Sequence, residues 1–334
     1  MTLRRFSRRL IAGLLLTLAA APIRAASKVP PFIPMPNSFV QDAAAPFVIS
    51  QKHTFITADT ALLRPAADAL RRVLKERTGM DIALSPKGVK GRITLAVDTA
   101  LHGAEHYRVE VSKKGLTITG ATPAAVFRGV MTLNQLLLAD PHEAERGRIP
   151  AVKIDDAPRF ALRALMIDPA RNFLPVKDVK RFIEVMAKYK YNALQLHLTD
   201  DQGWRIALKS YPQLASPQSY SAADIREIVA YAAEHYIDVI PELDIPGHTA
   251  AFLSVYPELG CTHLQNAPIK VGETVNRMLC AANDTVYTVY NQILREVAAL
   301  FPSQYIHLGG DEAAVPANWE KCPHCRAMME QKGY

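Results

Sequence analysis

After Pro158 the chain alternates short apolar runs with amphipathic stretches, and this alternation restricts the fold more than any other feature of the sequence. Leu162–Ile167, Asn192–Leu198, Ile237–Leu243 and Tyr305–Leu308 have the length and composition of strands. Val176–Tyr189, Ala222–His235 and Thr285–Phe301 lie between them and carry apolar residues at helical spacing. Strands joined by helices pair in parallel through right-handed crossovers, so the segment predicts an α/β architecture. Each apolar run ends in polar residues: Asp168 to Arg171, His197 to Asp201, Glu242 to His248, and His307 to Glu312. Both a (β/α)8 barrel and a doubly wound sheet gather their active sites at the carboxyl ends of parallel strands. No glycine-rich phosphate loop follows any of these runs, which argues against nucleotide binding.

Residues 26–155 read differently. Pro30, Pro31, Pro34, Pro36 and Pro46 mark an extended lead-in. Leu62–Thr78 carries Leu63, Ala66, Ala67, Leu70, Val73 and Leu74 on one helical face. Arg92–Val97 reads as a short strand. Tyr107–Val111 and Leu116–Thr119 alternate apolar and polar residues about Lys113-Lys114-Gly115, the pattern of a hairpin. Pro123–Ala139 predicts a second, largely buried helix. Together these form a small α+β domain without clustered catalytic residue types, and its expected role is structural. Residues 156–334 then hold four βα units. A (β/α)8 barrel needs eight, typically over ~250 residues. The expected architecture is therefore a small α+β domain followed by the N-terminal half of a (β/α)8 TIM barrel, with the chain stopping partway round it.

The first 25 residues read as a signal peptide. Arg4, Arg5, Arg8 and Arg9 precede an apolar run from Leu10 to Ala21, and small residues follow at Ala25 and Ala26. The run is shorter than the ~20 residues that a membrane span requires. The chain is thus expected to be exported, to the periplasm or outside the cell, with no membrane span once the signal is removed. The same segment accounts for most of the formal charge of +7. Without its five arginines, 34 basic residues face 32 acidic ones, a net of +2, and no basic stripe remains. A nucleic-acid partner is therefore not expected. Hydrophobic residues make up 49% of the chain, enough to build sizeable cores.

An exported chain can hold disulfides. Cys261, Cys280, Cys322 and Cys325 allow three pairings. Cys261–Cys280 would close a loop between barrel elements, and Cys322-Pro323-His324-Cys325 holds a close pair. Disulfides or structural thiols are the expectation. A zinc site using His263 or His324 is the alternative, disfavoured because the first two cysteines lack close ligand spacing.

The polar strand ends carry the chemistry. In His307-Leu308-Gly309-Gly310-Asp311-Glu312, two glycines allow close backbone approach and two adjacent carboxylates follow an apolar run. Adjacent carboxylates repel, so one of them is expected to shift towards the range of a general acid. In His197 through Arg205, Asp200 and Asp201 offer acceptors for sugar hydroxyls and Trp204 an apolar ring for stacking, although either aspartate could instead cap a helix. In Pro241 through His248, the company of Asp200, Asp244 and Glu312 at neighbouring strand ends makes His248 part of a carboxylate–histidine relay. Arg171 is either half of a surface ion pair or a forked donor to sugar hydroxyls.

These segments resemble the family 20 glycoside hydrolases, the β-N-acetylhexosaminidases. The likeness rests on Asp168-Pro169-Ala170-Arg171-Asn172-Phe173, on Asn192 through Arg205, on the Glu-Leu-Asp-Ile-Pro-Gly-His run ending at His248, and on His307 through Glu312. It extends into the small domain through Thr132-Leu133-Asn134-Gln135-Leu136-Leu137. Asn172 and Ala164 stand where the family often has His and Gly. The resemblance implies an exo-acting, retaining enzyme that releases terminal GlcNAc or GalNAc from glycans or chitooligosaccharides. It implies that Glu312 is the general acid and base and that Asp311 orients the substrate's own acetamido group, which acts as the nucleophile. It also implies that Arg171 binds sugar hydroxyls, that Asp200 and His248 support Glu312, and that Asp244 contacts or orients His248. An N-acetylhexosamine-containing oligosaccharide is the implied partner, with no metal and no organic cofactor.

Two other readings compete. One is a metal-dependent barrel hydrolase with His197, His248 and Asp311 as ligands, although Gln195-x-His197 stands where His-x-His is usual. The other is an inactive carbohydrate-binding fragment that keeps Arg171 and Trp204.

Overall fold

The computed structural model describes residues 29–85, 89, 91–261, 271 and 277–334. The expected signal peptide and His263 lie outside the described residues. Among the described residues, no helix is long and apolar enough to cross a membrane.

The first unit runs β1 (Ser38–Gln41), β2 (Phe47–Val48), β3 (Ile56–Thr57), α1 (Thr60–Thr78), β4 (Ile93–Val97), β5 (Tyr107–Ser112), β6 (Gly115–Gly120), α2 (Pro123–Ala139), α3 (Pro141–Glu145), β7 (Arg148–Ile149) and β8 (Val152–Asp156). Six of these strands form one mixed sheet in the order β1-β8-β5-β6-β4-β3. Along β5 the residues alternate strictly: Tyr107, Val109 and Val111 are buried, and Arg108, Glu110 and Ser112 are exposed. That period of two gives the sheet one apolar face, against which α2 packs, with α1 packed on α2. Thr122 caps α2, its side chain accepting from Ala125 N, and Pro123 opens the first turn where its missing N–H does no harm. The sheet continues through Asp156, one residue beyond the boundary expected from the sequence.

The second unit runs β9 (Ala164–Ile167), α4 (Val176–Lys188), β10 (Ala193–His197), β11 (Thr199–Asp200), β12 (Gly203–Trp204), α5 (Ala222–Ala233), β13 (Asp238–Glu242), α6 (Ala250–Leu253), α7 (Asp284–Leu300) and α8 (Pro323–Lys332). β9, β10 and β13 form a parallel sheet with β10 in the centre. Val179, Ile183, Met186 and Ala187 make the buried stripe of α4; Ile225, Ile228 and Ala232 make that of α5; and Val286, Tyr290, Ile293 and Val297 make that of α7. The anticipated strand Tyr305–Leu308 is not a regular ladder. It lies parallel to β13 but joins it through one bridge, Glu242 to His307, with His307 N donating to Pro241 O at 2.9 Å and Leu243 N to His307 O at 3.0 Å. Tyr305 remains 64% exposed, so little apolar burial holds the segment flat.

Buried polar groups tie the two units together. Arg128 of α2 is 1% exposed, and its guanidinium donates to Tyr236 O at 2.7 Å and to His235 O at 3.3 Å, with Glu105 3.7 Å away. Lys190 follows α4 and reaches back to Tyr107 Oη at 2.9 Å and Asp156 Oδ2 at 3.2 Å. Each charge is desolvated but partnered, and removing one partner strands the others. Replacing Arg128 with Met is expected to destabilise the protein by about 3 kcal/mol or more, because two carbonyls and Glu105 lose their donor. A denaturant midpoint within error of wild type would contradict this assignment.

Candidate active site

Each functional side chain sits just beyond the end of a parallel strand. After β9, Asp168 folds a tight turn in which its Oδ1 accepts from Arg171 N and its Oδ2 from Arg171 Nη1, both at 2.9 Å. The turn aims Arg171 across the strand ends, where Nη2 lies 2.8 Å from Asp200 Oδ2. From beneath, Arg205 donates to Pro169 O and Ala170 O, each at 2.9 Å, and so fixes the segment that carries Arg171.

After β10 the chain doubles back through the β11–β12 hairpin, which buries Asp200 to 1% exposure. Asp200 is a hub. Its Oδ2 pairs with His197 Nε2 at 2.9 Å, and its Oδ1 accepts from Asp201 N at 2.6 Å and lies 3.3 Å from His248 Nδ1. Burial alone would raise the Asp200 pKa, but His197, the Asp201 amide, His248 and Arg171 together hold it below the usual carboxylate range. Asp201 has fewer donors, and burial leaves it raised.

After β13 come Asp244 and His248, and after the Tyr305–Leu308 segment come Asp311 and Glu312. His248 has φ 50 and Glu312 has φ 47, in the left-handed region that non-glycine residues seldom occupy. The histidine lies between the hub and the acids. Its Nε2 lies 3.3 Å from Glu312 Oε2 and 3.6 Å from Asp311 Oδ2, without an aligned hydrogen bond. The Asp311 and Glu312 side chains are 63% and 75% exposed, whereas the groups behind them are buried. Gly309 makes this approach possible: at φ +63, a Cβ there would lie 1.8 Å from Asp244 Oδ1.

Asp244 is buried at 2%, and its Oδ1 accepts from Gly310 N at 2.9 Å, so it supports the loop of Asp311. It does keep company with His248 and Asp311, the ligand atoms of the three lying within 4.8 Å of one another. Burial and the neighbouring Asp311 carboxyl push its pKa up to about 6. Trp204 is a correction. It is 2% exposed and its ring packs on Phe252 with centroids 5.8 Å apart, so it is a core residue and offers no stacking face. The sequence separation of Trp204 from the aspartates gave no sign of this, because β12 turns its side chain inward.

Sequence reasoning assigned no role to Glu242, Gln195 or His307, and these build the floor of the site. Glu242 Oε1 lies 3.0 Å from His307 Nδ1, and its Oε2 accepts from Gln195 Nε2 at 2.7 Å and pairs with His197 Nδ1 at 2.9 Å. The signal was available in part: Gln195 and His197 alternate on β10 and so share a face. Burial opposes charge on His197, but Asp200 on one nitrogen and Glu242 on the other raise its pKa to about 10. Burial likewise works against the Glu242 carboxylate, but His197 and Gln195 hold its pKa at about 2. Among the described residues His197, His248 and Asp311 form no common ligand group, although His248 and Asp311 lie together with Asp244.

Residues 160–334 match the model for glycosyl hydrolase family 20, catalytic domain, and residues 29–157 match that for glycosyl hydrolase family 20, domain 2. The chain belongs to glycosyl hydrolase family 20. Among its relatives, a β-hexosaminidase of Porphyromonas gingivalis is 34% identical over 323 residues, which cover 90% of this chain and 41% of the relative. A β-N-acetylhexosaminidase of Cellulomonas fimi is 32% identical over 84% of this chain and 59% of its own. Among solved structures, the Streptomyces plicatus N-acetyl-β-hexosaminidase in complex with Thio-NAglucal superposes with a TM-score of 0.77 at 36% identity, over 90% of this chain and 62% of that one. A Vibrio harveyi exo β-N-acetylglucosaminidase in complex with N-acetylglucosamine gives 0.74 at 28% identity, over 94% of this chain and 53% of that one. The chain thus spans about 40–60% of the length of these relatives.

Stability should depend on pH through the floor of this family 20 site. The His197 pKa is raised on folding from ~6.5, so its contribution is full below that value and is lost as pH rises through about 10. The Glu242 pKa is depressed from ~4.3, so its contribution is full above that value and is lost as pH falls towards about 2. Urea midpoints measured across this range should fall at both ends, and His197→Gln should flatten the alkaline arm. An unchanged alkaline arm would remove His197 from this role. Gly309→Ala should abolish the site's function while sparing most of the secondary structure, because the added methyl meets Asp244 at a strained φ; wild-type turnover would refute that close approach.

Proposed function

We propose that this protein is an exo-acting β-N-acetylhexosaminidase that removes terminal non-reducing GlcNAc or GalNAc from glycans or chitooligosaccharides with retention of configuration. The observation that carries the reading is the line Asp200–His248–Glu312, with Asp311 on the same histidine nitrogen. Glu312 protonates the leaving glycosidic oxygen, and His248, backed by the buried Asp200 carboxylate, faces it at 3.3 Å. Asp311 and Glu312 are consecutive and both face one histidine nitrogen, an arrangement that suits a shared role toward one end of a sugar better than a flanking pair. A two-carboxylate retaining scheme needs acid and nucleophile on opposite sides of the bond, about 5–5.5 Å apart. The substrate's 2-acetamido oxygen therefore serves as nucleophile and attacks the anomeric carbon. Asp311 orients that amide and stabilises the positive charge that grows on it as the oxazolinium forms. Glu312, now a carboxylate, takes a proton from the water that opens the ring. Arg171, held by Asp168 and Asp200, presents its remaining donors to sugar hydroxyls. No step calls for a metal or an organic cofactor.

The same reading completes the three parallel strands into the (β/α)8 barrel of the family and places the protein outside the cytoplasm, in the periplasm or secreted. It rests for the first on family membership and for the second on the arginine-rich, apolar N-terminal segment.

Glu312→Gln should lose roughly 10²–10⁴-fold in kcat on substrates with poor leaving groups and much less on activated aryl glycosides. Asp311→Asn should lose kcat with the fold intact, as judged by circular dichroism. Product analysis by NMR should show the β-anomer first, and a substrate lacking the acetamido carbonyl should not turn over. Inversion, or a covalent glycosyl–carboxylate intermediate trapped on the enzyme, would sink the mechanism.

A further inference from the structure

The four cysteines, 64 residues apart from first to last, meet at one buried point. Cys261, Cys322 and Cys325 are fully buried and Cys280 is 3% exposed. Their sulfurs all lie within 4.8 Å of one another, and Cys280 Sγ is 3.5 Å from Cys325 Sγ and 4.0 Å from Cys322 Sγ. A tetrahedron of sulfurs around zinc, with Zn–S ~2.3 Å, has edges of about 3.8 Å. A disulfide joins sulfurs two by two at ~2.05 Å, whereas here Cys280 faces three neighbours at once.

We propose that Cys261, Cys280, Cys322 and Cys325 bind one zinc ion as a closed tetrathiolate site. Two further features fit a ligand set and go beyond packing. Cys322 caps the ten-residue helix α8 and Cys325 lies in its first turn, where the helix N-terminus favours negative charge on sulfur. Trp319 packs over the cluster, with its Nε1 donating to Leu279 O at 2.9 Å, and helps keep water out. His324 is exposed and is not a ligand. On binding, each thiol gives up its proton to solvent as its Zn–S bond forms, with no change of oxidation state. The Cys-Pro-His-Cys pair supplies the close ligands of a zinc knuckle, and the fold supplies the other half that sequence spacing lacked.

The site also joins two segments of the proposed active site. Leu279 N donates to Pro246 O at 3.0 Å and Thr249 Oγ1 to Arg277 O at 3.0 Å, so the segment entering Cys280 is tied to the loop of His248. Cys322 and Cys325 follow the loop of Asp311 and Glu312 in sequence. Zinc would therefore hold the relay histidine and the acids against each other, as a positioning device outside the chemistry.

The test is metal analysis of the protein purified without chelator. About one zinc per chain is expected, with the four thiols unreactive to a thiol reagent until a strong chelator removes the metal. Removal should lower Tm and lower kcat more than it raises KM. Cys325→Ser and Cys280→Ser should each lose the bound zinc. If those variants fail to fold, Co²⁺ exchanged into the wild-type chain should give the intense sulfur-to-cobalt charge-transfer and visible bands of a tetrahedral tetrathiolate. Two disulfides in a non-reducing peptide map, iron in place of zinc, or four thiols that hold no metal after equilibration with zinc would each overturn the proposal.

Discussion

The site depends on one buried carboxylate held between two histidines. Glu242 meets His197 on β10 and His307 on the far side of β13, and His197 passes the interaction to Asp200. Taking these charges out of water is expensive, and each is tolerated only because the next one is present. The result is a rigid polar floor across the carboxyl ends of neighbouring strands. Asp200 is therefore held as a carboxylate in a nearly dry position, and that fixed negative charge orients both Arg171 and His248. The exposed pair Asp311 and Glu312 sits on groups that cannot rearrange without stranding a charge.

The small domain contributes no side chain to this floor, yet it is coupled to it by packing. Arg128 binds the carbonyls at the end of α5, immediately before β13 begins, and Lys190 binds Asp156 and Tyr107 immediately before β10 begins. Both anchors act at the amino ends of strands whose carboxyl ends carry the site. The fold thus separates attachment from chemistry, at opposite ends of the same strands.

Much of this was legible in the sequence. The helices and the hairpin of the small domain are within a few residues of their patterns, because period-two and 3.6-residue alternation report directly on which face is buried. Arg171, Asp200, His248, Asp311 and Glu312 do meet, because strand ends in a parallel sheet share one edge. What remained hidden was direction and distance. Trp204 stands beside functional aspartates in sequence but turns into the core, and Asp244, which does lie beside His248, also props up the glycine loop through Gly310 N. Glu242 lay within an apolar run, and only the parallel register sets it opposite His197. Cys261 and Cys280 looked unrelated to the Cys-Pro-His-Cys pair because tertiary packing, not spacing, unites them.

The pairing of β10 with β13 carries a further consequence for folding. In the native register His197 faces Glu242, and its neighbours on β13 are Pro241 and Leu243. A slip by a single residue would set a charged imidazole against proline or leucine in a dry interior, and would part Glu242 from His197. Apolar strands alone tolerate such slips poorly discriminated, since valine, isoleucine and leucine substitute for one another in contact. The ion pairs act here as a proofreading mark: only one alignment of the two strands neutralises them, so the residues that shape the pocket also reject its misassembled forms.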